Sequence, residues 1–153
     1  MKKTARNKGF TLIEILVVIG IIAILATIVI IAINPARQFA QARNTQRISN
    51  VNTILNAVGQ NIADNKGILV GCGTIGTPTA STTIGTTVGP TFVDLTACLI
   101  PKYIPSSIPT DPTDGTLANT KYEISVDSVT GRYMICTQNA ESSLGNQKLC
   151  VAR

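Results

Sequence analysis

Residues 10–33 read FTLIEILVVIGIIAILATIVIIAI, and Glu14 carries the one ionisable side chain among these 24. As a helix rising about 1.5 Å per residue, the stretch reaches about 36 Å, enough to cross a hydrocarbon core of about 30 Å with some tilt. Ile and Val dominate it, so propensity alone permits a strand. A lone strand in lipid, however, leaves its backbone N–H and C=O groups unpaired, whereas a helix closes those bonds internally. The stretch is therefore read as a membrane-crossing helix. A carboxylate inside such a helix is expensive and requires a partner or a pathway.

Immediately before it, MKKTARNKG (residues 1–9) holds Lys2, Lys3, Arg6 and Lys8 and no acid. The net charge of +5 is concentrated there, because the remaining nine basic and eight acidic residues nearly cancel. That balance leaves no basic surface for a nucleic-acid partner. The leader cations act as an orientation signal, holding the N-terminus in the cytoplasm and sending residues 34–153 across. A secretory signal peptide has a shorter apolar run, about 7–15 residues, ending at a small-x-small site. Ala23 and Ala26 lack that spacing. A plain single-span anchor fits the hydropathy and gives Glu14 no role.

KGFTLIEILVVIGIIAILA, residues 8–26, resembles the N-terminal signal of the type IV pilin and pseudopilin superfamily. The family pattern is a basic leader ending in Gly, then Phe, then Thr-Leu-Ile-Glu and an unbroken apolar helix. Here these are Gly9, Phe10, Thr11, Leu12, Ile13 and Glu14. The resemblance implies that a membrane-embedded aspartyl prepilin peptidase cuts between Gly9 and Phe10 and N-methylates the new Phe10 terminus. It implies no catalytic activity of the chain's own, and partners that include an inner-membrane assembly platform with a separate ATPase. A cut before the apolar run removes the leader charges and keeps the anchor. It leaves an α-amine at Phe10 and a carboxylate one turn later at Glu14. Between parallel helices of a filament, Glu14 can neutralise the amine of a staggered neighbour, turning an isolated charge into a pair. Contact with the Phe10 amine of its own chain is the alternative. Gly9 suits a small protease site or a simple helix break.

Asn34-Pro35 follows directly, and proline predicts a kink or loosening there. Helical composition resumes over residues 34–66. Ile48, Val51, Leu55, Val58 and Ile62 recur at spacings of 3 and 4 and form a narrow apolar stripe, with Arg37, Arg43 and Arg47 on the wetter side. This predicts one long discontinuous helix to about Asn65, with Gly59 inside it either letting a sheet approach or merely tolerated. Lys66-Gly67 supplies the stop. Residues 67–153 form the remaining domain. GCGTIGTPTASTTIGTTVGP (71–90) reads as a loop with short extended pieces. Asp94 is placed to cap a turn over Leu95–Leu99. KYEISV (121–126), RYMIC (132–136) and KLCVA (148–152) predict a small antiparallel sheet covering the apolar stripe. The fold class is α+β: a long N-terminal helix, its first half membrane-embedded, packed against a small C-terminal sheet. The stretch from Tyr103 through the second strand is similar to the C-terminal lobe of major pseudopilins, where a P.DP turn precedes the sheet.

Cys72, Cys98, Cys136 and Cys150 all lie on the outer side, which suits an oxidising compartment and two disulfides. Of the three pairings, Cys72 with Cys98 and Cys136 with Cys150 each tether a loop to its nearest ordered neighbour. A zinc site needs close CxxC pairs, which are absent. The chain has no His and no phosphate-binding glycine loop, so neither a catalytic residue nor a cofactor is assigned. Major pseudopilins hold calcium in their C-terminal loops with more oxygen ligands than ESSLGNQ offers. Asp111, Asp114 and Asp127 therefore read first as residues of ordinary Asp-Pro and Asp-Gly turns, with a calcium site at Asp111, Asp114 and Asp127 as the alternative. The expected function is a structural subunit of a type IV pilus-like filament, a single-pass membrane protein before assembly and extracellular afterwards. A pseudopilin of a secretion or DNA-uptake machine is the alternative, and a non-polymerising anchored domain the third reading.

Overall fold

The computed structural model describes residues 9–141, 144–145 and 148–153. The leader cations lie outside these residues, as does part of ESSLGNQ. The chain divides into two compact units, Met1–Gln38 and Phe39–Arg153.

In the first unit α1 spans Leu12–Ile33 and buries none of its residues. It is the one helix among the described residues long and apolar enough to cross a membrane. Asn34 ends it in the left-handed conformation, φ 48° and ψ 78°, which Asn tolerates better than most side chains. The Asn34 Oδ1 also accepts the Arg37 N–H at 3.3 Å, so the same residue stops one helix and caps the next. Pro35 then opens α2 (Pro35–Asp64), at the position where its missing N–H costs nothing. The expected discontinuity is thus a complete break between two helices.

In the second unit, α2 lays Val51, Ile54, Leu55, Ala57 and Val58 into the core. It ends where Lys66 and Gly67 take positive φ and the Gly67 N–H bonds the Ile62 carbonyl at 2.9 Å. The sheet contains β1 (Thr82–Ile84), β2 (Phe92–Val93), β3 (Tyr122–Val126), β4 (Tyr133–Thr137) and β5 (Cys150–Ala152), in the order β2-β1-β3-β4-β5. β3, β4 and β5 pair antiparallel, with Ile124 opposite Ile135 and Cys136 opposite Cys150. The sheet is larger than expected, because β1 arises within the Gly/Thr-rich stretch, pairs antiparallel with β3 and takes β2 parallel on its other side. Three residues are too few for alternation to announce a strand. Thr82 and Ile84 are nevertheless buried, and the Thr82 hydroxyl donates to the Ile124 carbonyl. The short helix α3 (Thr96–Leu99) follows β2. The Asp94 carboxylate accepts the Thr96 N–H at 2.8 Å at its start. Ile84, Tyr122, Ile124 and Ile135 from the sheet meet Leu95, Leu99, Ile104 and Ile108 and the α2 stripe in one core.

The stripe expected on α2 is corrected at two positions, Ile48 and Arg47. Ile48 is 43% exposed and Arg47 only 2%, so the buried face keeps Val51, Leu55 and Val58 of the apolar stripe and extends beyond them onto the side that carries Arg47, Asn50, Ile54 and Asn61. The cause is a pair of distant carboxylates. The Arg47 Nε donates to Asp111 Oδ2 at 2.7 Å and Nη2 to Asp111 Oδ1 at 3.2 Å. Nη1 donates to Glu141 Oε1 at 2.7 Å and Asn44 Oδ1 at 2.9 Å, and Nη2 also to the Thr113 hydroxyl at 2.9 Å. All five guanidinium N–H donors are thereby used. Arg43 adds a fork onto both Glu141 oxygens, at 2.6 and 2.8 Å. Hydrogen bonding to Asp111 outweighs burial and raises the Arg47 pKa. Burial pushes the Asp111 carboxyl up, but Arg47 prevails and the net shift is downward. Hydrogen bonds from Arg43 and Arg47 bring Glu141 down to about 2. Gly59, for its part, is exposed with open space where a Cβ would stand among the described residues, so no sheet approaches it.

Candidate processing and assembly site

The N-terminal site is built from four consecutive roles. Gly9 and Phe10 precede α1 and are not helical. Gly9 has open space around it among the described residues, and Phe10 is 85% exposed. Thr11 is the N-cap, with extended backbone at φ −80° and ψ 151°. Its hydroxyl accepts the Glu14 N–H at 3.3 Å. The Glu14 Oε2 in turn accepts the Thr11 N–H at 2.8 Å and the Thr11 hydroxyl at 2.9 Å. This reciprocal capping box satisfies helix-start donors that would otherwise be orphaned. Glu14 is thus engaged by its own chain. Sequence reasoning weighed only an amine partner for it, although Thr11-x-x-Glu14 is itself the legible signature of the cap.

Beyond the cap, α1 offers only apolar side chains and small ones. Thr27 turns its hydroxyl inward onto the Ile24 carbonyl at 2.7 Å, leaving no polar group to compete with lipid or a neighbouring helix. The prokaryotic N-terminal methylation motif matches residues 4–30. The chain carries the type IV pilin and pseudopilin signature. No curated protein and no solved structure matches the chain. The pilin-type signature covers residues 4–9 of the leader and most of α1, and it implies a prepilin peptidase substrate with an N-terminal apolar anchor.

The other expected site residues fall in the second unit. Disulfides join Cys72 to Cys98 and Cys136 to Cys150. The first ties the Gly/Thr-rich stretch to α3, and the second locks β5 onto β4. Asp111 is committed to Arg47 and to the Thr113 N–H at 2.9 Å. Asp127 accepts the Val129 and Thr130 N–H groups within its turn. Asp114 accepts from Asn139. Each carboxylate thus has a partner within the fold.

Proposed function

We propose that this chain is the structural subunit of a type IV pilus-like filament, assembled through α1 after cleavage between Gly9 and Phe10 and N-methylation of Phe10. One observation carries the reading: a helix bearing the methylation motif has every residue exposed, while the rest of the chain closes a core of its own. Exposed apolar area on that scale requires cover, worth roughly 25 cal/mol per Å². Lipid covers it before assembly, and the α1 helices of neighbouring subunits cover it afterwards. The Glu14 carboxylate then exchanges its capping donors for the α-amine of an adjacent subunit, a pairing that sets the register of incorporation. A pseudopilin is the second reading, favoured by the Pro109–Pro112 turn, which Asp111 anchors to α2 through Arg47.

Intact mass of filament protein is expected to correspond to a chain starting at methylated Phe10. A mature chain retaining residues 1–9, or beginning after residue 30, would overturn the assignment. Glu14→Ala is expected to insert and be cleaved, yet yield at least tenfold less sheared filament per unit of processed protein. Wild-type filament yield from processed Glu14→Ala protein would refute the pairing role.

A further inference from the structure

Gly9 and Phe10 stand clear of α1 because of one side chain. Thr11 is extended at the head of the helix, and its hydroxyl and N–H are both engaged with Glu14. Helical backbone therefore starts at Leu12, two peptide bonds beyond the Gly9–Phe10 bond. A protease has to hold its substrate peptide in extended form and reach both sides of it. A peptide wound into a helical turn offers neither.

We infer that Thr11 is a positioning residue for leader removal, an inference that rests on the reading of Gly9–Phe10 as the cleaved bond. The cap fixes the start of α1 and so presents Gly9–Phe10 to the peptidase as exposed, non-helical backbone that can be drawn out straight. In the hydrolysis, water adds across that amide, leaving a carboxylate on Gly9 and an amine on Phe10. The groups that activate the water belong to the peptidase. Without the Thr11 hydroxyl the helix can start further back. Gly is itself an acceptable N-cap, so Gly9 would take over the role and Phe10 and Thr11 would become the first helical positions. Losing a Ser or Thr cap moves such an equilibrium by about two- to thirtyfold. Glu14 consequently acts twice: as the reciprocal half of the cap in the precursor, and as the amine's partner after the cut.

The test uses full-length precursor in membrane vesicles with purified prepilin peptidase, reading initial cleavage rates, together with backbone 13C chemical shifts of residues 9–14 in uncleaved precursor in micelles. Thr11→Val keeps the shape and removes the hydroxyl. Its kcat/KM is expected to fall at least threefold, with Phe10 and the substituted position 11 shifting toward helical values. Thr11→Ser is expected to restore both readouts. Glu14→Gln, whose amide oxygen still accepts the Thr11 N–H, is expected to be cleaved faster than Glu14→Ala. Cleavage of Thr11→Val at the wild-type rate, or of Thr11→Ser as slowly as Thr11→Val, would overturn the inference. So would slow cleavage with unmoved chemical shifts, which would mean that Thr11 acts by touching the peptidase. For a variant that inserts poorly, the shifts in micelles read the helix start directly. Failure of the wild-type chain to be cut at Gly9–Phe10 would refute the functional reading, whereas indifference of the Thr11 variants alone would refute only the cap.

Discussion

α1 and α2 are consecutive helices separated by a single residue, and they treat charge and apolar surface in opposite ways. α1 exposes an unbroken apolar surface and confines its one carboxylate to a cap at its first turn. α2 buries Arg47, Asn50 and Asn61 among its aliphatic side chains. For α2 the partners lie in its own chain: the Arg47 carboxylates, the Thr110 carbonyl and Tyr122 hydroxyl for Asn50, and the Val70 and Cys98 carbonyls for Asn61. The apolar surface of α1 therefore finds no cover within its own chain. The buried polar groups of α2 find their partners within one fold.

The sharpest way to break the contrast is to remove Arg47. Arg47→Met leaves the Asp111 carboxylate buried and unpaired, and breaking a buried pair in this way costs about 3–5 kcal/mol. Urea unfolding of the detergent-solubilised chain, followed through the second unit, is expected to show that loss. Adding Asp111→Asn should recover part of it. Loss below about 1 kcal/mol would show the cluster to be peripheral.

Replacing Cys136 and Cys150 by serine comes next. The loop they close spans a sequence separation of 14, and releasing it should cost about 3 kcal/mol by chain entropy. The expected outcome is a lower thermal midpoint for the second unit and an unaltered α1 helix signal in micelles.

Acid gives a graded version of the same comparison. Asp111 and Glu141 have pKa values held below their ordinary range, Glu141 at about 2. Their contribution is full above the unfolded-state value of about 4 and is lost as pH falls toward about 2. Stability of the second unit should therefore decline across that window. Glu141→Gln should flatten the decline, and an unchanged slope in that variant would contradict the assignment.

Gly59→Ala has the smallest expected effect and the opposite sign. The position is helical, exposed and open to a Cβ, so the substitution should stabilise the fold by about 0.5–1 kcal/mol. A destabilised variant would reveal a neighbour at Gly59 that the isolated chain lacks.

Features that depend on neighbouring residues in the sequence were legible in it. These include the apolar run, the stop at Lys66-Gly67, and the alternation of Tyr122, Ile124 and their strand partners. Arg47 was not, because its burial is decided by Asp111 and Glu141, 64 and 94 positions away. A period of 3.6 read on apolar residues alone cannot register a buried cation. β1 lies in the stretch that reads as a loop with short extended pieces, but its place in the sheet and that of β2 were not legible, because a three-residue and a two-residue strand carry no measurable period. The Thr11–Glu14 cap is a local motif that the sequence carries openly, since Thr and Glu three residues apart ahead of an apolar run suffice to specify it.

The hairpin between β3 and β4 bears on how the protein could be put to use. Its turn is held by its own atoms: Asp127 caps two N–H groups, Gly131 takes φ 68°, and Val129 at the tip is 92% exposed. The Asp111–Gly115 turn has no such latitude, since a Cβ on Gly115 would lie 2.2 Å from the Asp111 nitrogen. A foreign peptide grafted between Ser128 and Val129 would therefore leave the core and both disulfides untouched. If the chain polymerises, the same graft would be repeated once per subunit along the fibre, making this tip the first choice for an affinity tag or a displayed antigen.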